Sequence, residues 1–150
     1  MGAIEEGLAA KGIDLPEPVS PAANYVRYQR TGNLLFISGT GPDANQATGK
    51  VDSEVSVEEA YAAARSVGLQ ILATAQQALG SLDHITRTIK VLGMVNSDPT
   101  FGKQPAVING CSDLLVEVLG EAGRHTRSAV GFVALPNDIS VEIEATFEVE

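Results

Sequence analysis

Basic residues are scarce in this sequence. Of 150 residues, 10 are lysine or arginine against 19 aspartate or glutamate, a formal charge of -9. A surface that tracks a phosphate backbone needs clustered Lys and Arg, and no such run occurs, so no nucleic-acid partner is expected. Cysteine is equally short. Cys111 stands alone, which excludes an internal disulfide, and one cysteine with two histidines is a poor donor set for zinc. Purely apolar stretches last only a few residues, too few to span a bilayer, so no membrane partner is expected. The opening Met1-Gly2-Ala3-Ile4-Glu5-Glu6 lacks the basic start and apolar block of a secretory signal, and a cytoplasmic location is the expectation. The patterns GxxxxGK[ST], GxSxG, HExxH and paired CxxC are also missing, and neither metal nor organic cofactor is expected.

What remains is a chain of 15.6 kDa, 44% hydrophobic and 19% charged, sized for one globular core. Residues 1–150 are read as one domain with an N-terminal helical extension over 1–15. Ile4, Leu8 and Lys11 recur at helical spacing before Gly12, and Pro16, Pro18 and Pro21 then force an extended entry segment. Two strand-like runs, Tyr25–Thr31 and Leu34–Ser38, are split by the turn signal Gly32-Asn33. A glycine-rich loop, Gly39–Gly49, follows. From Ser56 to Leu79 a single apolar stripe at three-and-four spacing predicts a long helix, with Ser56 as cap and Glu58 and Glu59 in its first turn. Ile85–Val95 reads as a strand, Pro105–Leu119 as a second helix, and Arg127–Ala134 and Ser140–Val149 as strands. The order ββαβαββ is that of an α/β (α+β) domain with two main helices on one face of a mixed sheet.

The last strand alternates cleanly: Val141, Ile143, Ala145, Phe147 and Val149 on one face, Glu142, Glu144, Thr146 and Glu148 on the other. Closing it as a hairpin onto the preceding strand, with Ala134 opposite Ile139, sends Ser128, Val130, Phe132 and Ala134 toward the helices. Arg127, Ala129 and Gly131 then share the acidic face. In the middle strand Ile89, Val91 and Val95 face one way and Leu92 and Met94 the other, so the sheet is partly apolar on both sides. Such a face is commonly an interface, and copies packed sheet to sheet around polar clefts are expected.

Arg127 is the first candidate for chemistry. Small neighbours Ala129 and Gly131 leave room above the sheet, and an arginine fork beside open space suits a carboxylate. A diagonal ion pair with Glu144 is the competing reading. Glu142 is a candidate acid, base or water holder, or simply a solvated glutamate. In the hairpin register it falls about 13 Å from Arg127, so joint action on one small molecule requires sheet bending or a neighbouring chain. Asn109 can position a ligand. Ser38-Gly39-Thr40-Gly41-Pro42 closes a strand with glycines that allow close backbone approach. Cys111 falls on the buried side of its helix and reads as a core thiol; His125 can shuttle protons near Arg127 or sit in solvent.

The block Arg127-Ser128-Ala129-Val130, Leu135-Pro136 and Val141-Glu142-Ile143-Glu144-Ala145 resembles the C-terminal signature of the Rid/YjgF superfamily, the reactive-intermediate deaminases, some called endoribonuclease L-PSP. Leu35-Phe36-Ile37-Ser38-Gly39 and Phe101 through Asn109 resemble two further parts of it, and the likeness covers roughly residues 16–150. It implies a chorismate-mutase-like fold, a homotrimer and ligand clefts between subunits. It also implies Arg127 as binder of a 2-imino or 2-enamino acid carboxylate, Glu142 as holder of the hydrolytic water, and Asn109 nearby. The product would be a 2-oxo acid and ammonia, and no cofactor is needed. A small carboxylate metabolite is the expected partner, with Ser38, Gly39 and Tyr25 completing the binding set. The family's Gly-Pro-Tyr-Ser entry reads Ser20-Pro21-Ala22-Ala23-Asn24-Tyr25 here, which sets Tyr25 three positions late, and a frequent cysteine is Ala129. The leading helix and the run Gly123-Arg124-His125-Thr126-Arg127 look like a divergent subgroup. The alternatives are a non-catalytic trimer that binds a small carboxylate for regulation and, weakest on charge, a ribonuclease.

Overall fold

The structure, a computed structural model, describes residues 2–150. Its elements are α1 (Ala3–Ala10), β1 (Tyr28–Thr31), β2 (Leu34–Thr40), α2 (Val57–Leu79), β3 (Ile85–Asn96), α3 (Gln104–Leu119), β4 (Thr126–Phe132) and β5 (Val141–Val149). The expected order and both long helices are present. Ser56 caps α2 in a reciprocal box: its hydroxyl accepts from the Glu59 amide at 3.0 Å and the Glu59 carboxylate accepts from the Ser56 amide at 3.1 Å. Gly32, with φ 57°, opens the two-residue turn between β1 and β2. The first strand begins at Tyr28 rather than Tyr25, leaving 25–27 in the entry segment.

One five-stranded sheet runs in the order β1-β2-β5-β3-β4. Antiparallel β5 sits between β2 and β3, and β4 lies parallel to β3 at the edge. The main core fills the space between the sheet and the pair α2 and α3, with Val67, Ile71, Leu72, Ile108, Leu114 and Leu115 meeting Leu35, Val91, Ile143 and Phe147. Gly110 lets the two helices touch backbone to backbone, since a Cβ there would lie 2.1 Å from the Tyr61 carbonyl oxygen. The N-terminal helix docks by its first turn: the Asp83 carboxylate accepts from the Ala3 and Ile4 amides at 2.7 and 2.8 Å. Glu5 returns the contact by accepting from the Leu82 amide at 2.7 Å.

The expected terminal hairpin does not form. Both β4 and β5 pair with β3, which runs between them: Val91 stands opposite Arg127 on one side and Ala145 on the other. The connection from 133 to 140 crosses the end of β3, where the Asn96 amide donates to Ser140 O and the Ser97 amide to Phe132 O. Proximity in sequence suggested a hairpin; the exposed amides at the end of β3 are what the two strand ends satisfy instead.

The facing of β4 is therefore reversed. Arg127 and Ala129 pair with Val91 and Gly93 and look toward α3. Val130 and Phe132, expected inside, are each 41% exposed on the other face of the sheet. That open face also carries Phe36, Lys90, Leu92, Met94, Glu142, Glu144 and Thr146. It is partly apolar, as the alternation in β3 suggests.

Candidate functional site

The predicted site residues fall into two hollows on opposite sides of the sheet. The first is shallow, about 270 Å³, where α3 meets the start of β4, and it is lined by Asn109, Ser112, Val116, Arg124, His125 and Arg127. Asn109 and Ser112 lie one turn apart on α3, a spacing that brings them to one face. The Arg127 guanidinium donates from one terminal nitrogen to Ser112 Oγ at 3.0 Å and from the other to the Pro105 carbonyl at 3.5 Å. No carboxylate pairs with it. Among the described residues the ion pairs are Arg65–Glu117, Arg87–Glu148 and Arg124–Glu121, so the competing cross-strand pair with Glu144 is absent.

His125 gives this contact a direction. Its Nδ1 lies 2.6 Å from the Gly123 carbonyl oxygen, which can only accept, so Nδ1 carries the proton. Nε2 is then the acceptor for the Ser112 hydroxyl at 2.8 Å, and the Ser112 oxygen is left to accept from Arg127. Burial pushes the imidazole below its usual value; the Gly123 bond opposes this and the Arg127 charge adds to it. A neutral ring, a serine and an arginine thus form one chain that fixes the guanidinium. Cys111, next to Ser112, is fully buried and its thiol is pushed up to about 12 by burial, with the Arg127 charge pulling the other way. It is a core group.

The second hollow is larger, about 700 Å³, between the entry segment, the end of β2, the turn at 136–138 and the open face of β5. Tyr25, Ser38, Gly39 and Glu142 all line it, with Glu144 beside them. Gly39 leaves room for the acid rather than serving a turn: a Cβ would stand 2.5 Å from Glu142 Oε2, so any larger residue would displace that carboxylate. The Ser38 hydroxyl donates to the Val26 carbonyl at 2.7 Å, which ties the strand end to the entry segment. Tyr25 is 44% exposed at the rim. Arg27 also lines this hollow and was not among the predicted residues. Its signal is slight, since one arginine in a polar strand-like run next to Arg30 looks like an exposed edge residue. Among the described residues no group of three or more His, Cys, Asp or Glu is arranged to hold a metal ion. Among the described residues no helix is long and apolar enough to cross a membrane.

Within one chain, then, Arg127 and Asn109 are on the helix side of the sheet, and Glu142, Ser38, Gly39 and Tyr25 are on the other. Each half is open. Neither can act with the other on one small molecule inside a single chain.

Residues 5–141 match the family model described as "YjgF/chorismate_mutase-like, putative endoribonuclease". Protein TCP17 of Trypanosoma cruzi is 42% identical over 151 residues, spanning 98% of this chain and 94% of that protein. The solved structure of Atu1372 from Agrobacterium tumefaciens, a protein of unknown function, is 44% identical with a TM-score of 0.90, covering 98% and 92% of the two chains. TdcF of Escherichia coli, solved with bound serine, is 26% identical with a TM-score of 0.59 over 89% of this chain and 94% of its own.

Proposed function

The chain belongs to the YjgF/chorismate-mutase-like family, and from that premise we propose that it hydrolyses 2-imino or 2-enamino acids to 2-oxo acids and ammonia. The observation that carries the reading is the split just described: a fixed, unpaired arginine in one hollow and a carboxylate against a glycine in the other. Two copies of the chain that bring the Arg127 hollow of one against the Glu142 hollow of the other would assemble a site at their boundary. A homotrimer closes such contacts in a ring, each interface using both halves.

In that site Arg127 grips the substrate carboxylate by two parallel hydrogen bonds, with Ser112 holding its orientation. Asn109 donates or accepts beside it. Glu142 accepts a proton from water as the water oxygen bonds to the imine carbon. Glu142 returns that proton to the imine nitrogen, giving the neutral carbinolamine, and then moves the hydroxyl proton to the same nitrogen: the carbon–nitrogen bond breaks, ammonia leaves, and the 2-oxo acid and a free Glu142 carboxylate remain. Imines already hydrolyse in water, so positioning and one proton shuttle are sufficient chemistry.

A second reading is favoured by one specific finding, the serine carried by TdcF. On it, the same cleft retains a small carboxylate metabolite without turning it over. An assay with imines released by an amino-acid oxidase separates the two. Under the hydrolase reading wild-type protein accelerates ammonia release and Arg127→Ala removes the acceleration. Binding of serine that depends on Arg127 with no acceleration by the wild type would leave the binding reading alone. A nuclease finds little support in a chain of formal charge -9 whose open sheet face bears Glu142 and Glu144.

A further inference from the structure

The Glu142 hollow holds a cation that the hydrolytic scheme does not use. Arg27 is only 7% exposed, yet among the described residues no carboxylate pairs with it. Its terminal nitrogens donate to neutral acceptors, the Gly39 carbonyl at 3.0 Å and Thr40 Oγ1 at 2.6 Å, and its Nε is buried with no partner. Gln70 of α2, 8% exposed, lines the same hollow. Its Nε2 donates to Asp43 Oδ1 at 2.6 Å while its Oε1 has no partner. A guanidinium taken out of water without a counter-charge is expensive, and buried polar atoms normally find partners. Both residues line one hollow, and an anion bound there would bring Arg27 the counter-charge that its neutral partners do not supply.

The charge pattern narrows the ligand. Arg27 bonds the carbonyl of Gly39, and the Glu142 carboxylate lies against the same glycine, so cation and anion flank one peptide unit. With Glu142 and Glu144 both present, an anion is favoured only at the Arg27 end, and a polar N–H group is favoured beside Glu142.

We infer that Arg27 is a second anion anchor and that this protein takes small diacids at the boundary of two copies, one acid group held by Arg127 of one copy and the other by Arg27 of its neighbour. Resting on the hydrolase reading, the substrate class becomes 2-imino dicarboxylic acids, with the imine carbon between the two arginines and next to Glu142. The anchoring role of Arg27 does not itself depend on turnover.

The test uses the full chain and two unreactive probes, glutarate and butyrate. Calorimetric titration should show wild type binding glutarate at least about tenfold more tightly than butyrate. In Arg27→Gln the ratio of glutarate to butyrate affinity should fall to about one, and in Arg27→Lys, which keeps charge but loses the fork, it should fall between. In the wild type, the Arg27 Nε–H resonance should move on adding glutarate and stay put with butyrate, a readout that needs no variant. Equal affinity of the wild type for the two probes, or an unmoved resonance with both, overturns the inference. A glutarate preference that vanishes in Arg27→Gln, in a protein that hydrolyses no imine, supports the anchor and sinks the hydrolase. Imine hydrolysis that is Arg127-dependent but shows no diacid preference sinks the anchor alone.

Discussion

Glu142 rests its carboxylate where the side chain of residue 39 would begin: a Cβ on Gly39 would lie 2.5 Å from Oε2 and 3.2 Å from the carboxyl carbon. The glycine is thus a seat for the acid. Gly39→Ala should tilt the carboxylate out of the hollow while leaving the core untouched, because the atom displaced is the far end of a flexible side chain. Imine hydrolysis should fall about as far as in Glu142→Gln, with the thermal midpoint within about 2 °C of wild type, since nothing buried is lost. A variant with full activity would mean that Glu142 acts from another position.

Ser112 couples Arg127 to His125, and removing it should loosen the arginine without removing any charge. Hydrogen bonds to charged groups contribute about 1.5–3 kcal/mol, so Ser112→Ala should weaken carboxylate binding by about tenfold. His125→Ala should do nearly the same, and the double variant should be no worse than either alone, because both changes cut one chain of bonds. Titration of serine or butyrate into the four proteins checks this. Additive losses would show that the two residues act separately.

Local order in this chain was legible where the cause is local. Ser56 with Glu59 announces a helix start, Gly32-Asn33 a tight turn, and the alternation Val141 to Val149 a strand with one buried face. Strand pairing was not legible. β3 slots between β4 and β5 although its residues pair 36 positions away on one side and 46 to 64 on the other, and no residue in 127–149 records that neighbour. The error reached the site, because reversing β4 put Arg127 on the side opposite Glu142 and turned an expected long reach within one chain into two separate halves. Arg127, Glu142, Gly39 and Asn109 could be nominated from residue type and resemblance. Arg27 could not, since its significance is burial without a counter-charge, a property that only packing creates.

Contact between α2 and α3 at Gly110 sets where Asn109 and Ser112 point. A methyl group there would meet the Tyr61 carbonyl oxygen at 2.1 Å and the Arg65 nitrogen at 3.0 Å, both backbone atoms that cannot step aside. Gly110→Ala should cost near the upper end of about 1–3 kcal/mol for an overfilled core. A chemical denaturation midpoint reads that cost. Arg127-dependent binding should weaken in the same variant because the first hollow is built on the displaced helix face.

Docking of α1 should be acid-sensitive. The Ala3 and Ile4 amides hold the Asp83 carboxyl below its ordinary value of 3.8. Glu5, whose partial burial works the other way, is held below 4.5 by its bonds to Leu82, Gln76 and Ser81. Both are depressed acids, so their stabilisation is complete above the unfolded values and is lost as pH falls through the folded ones. The protection of residues 3–10 relative to free-peptide exchange at the same pH should therefore fall from about pH 4 downward, ahead of that of the sheet amides. Asp83→Asn should show the fast exchange already at neutral pH. Exchange that stays slow in that variant would show the helix is held by Leu8 packing instead.

His125 titrates with the opposite consequence for the site. Its ring sits below the ordinary value of 6.5 because burial disfavours the charged form, despite the Gly123 bond, and because Arg127 repels the added proton. The unfolded chain therefore takes up this proton first as pH falls. Stability is complete above about 6.5 and declines as pH drops toward the folded value. Protonation also turns Nε2 into a donor, so that Ser112 Oγ faces two cationic donors, while Arg124 at the rim of the hollow is balanced by its pair with Glu121. A carboxylate bound at Arg127 supplies the missing negative charge and should raise the His125 titration point, which ring-proton NMR across pH 4–8 reads directly. His125→Gln should flatten the stability profile over that window. If the ring titrates at the same pH with and without bound carboxylate, His125 and the Arg127 anion position are not coupled.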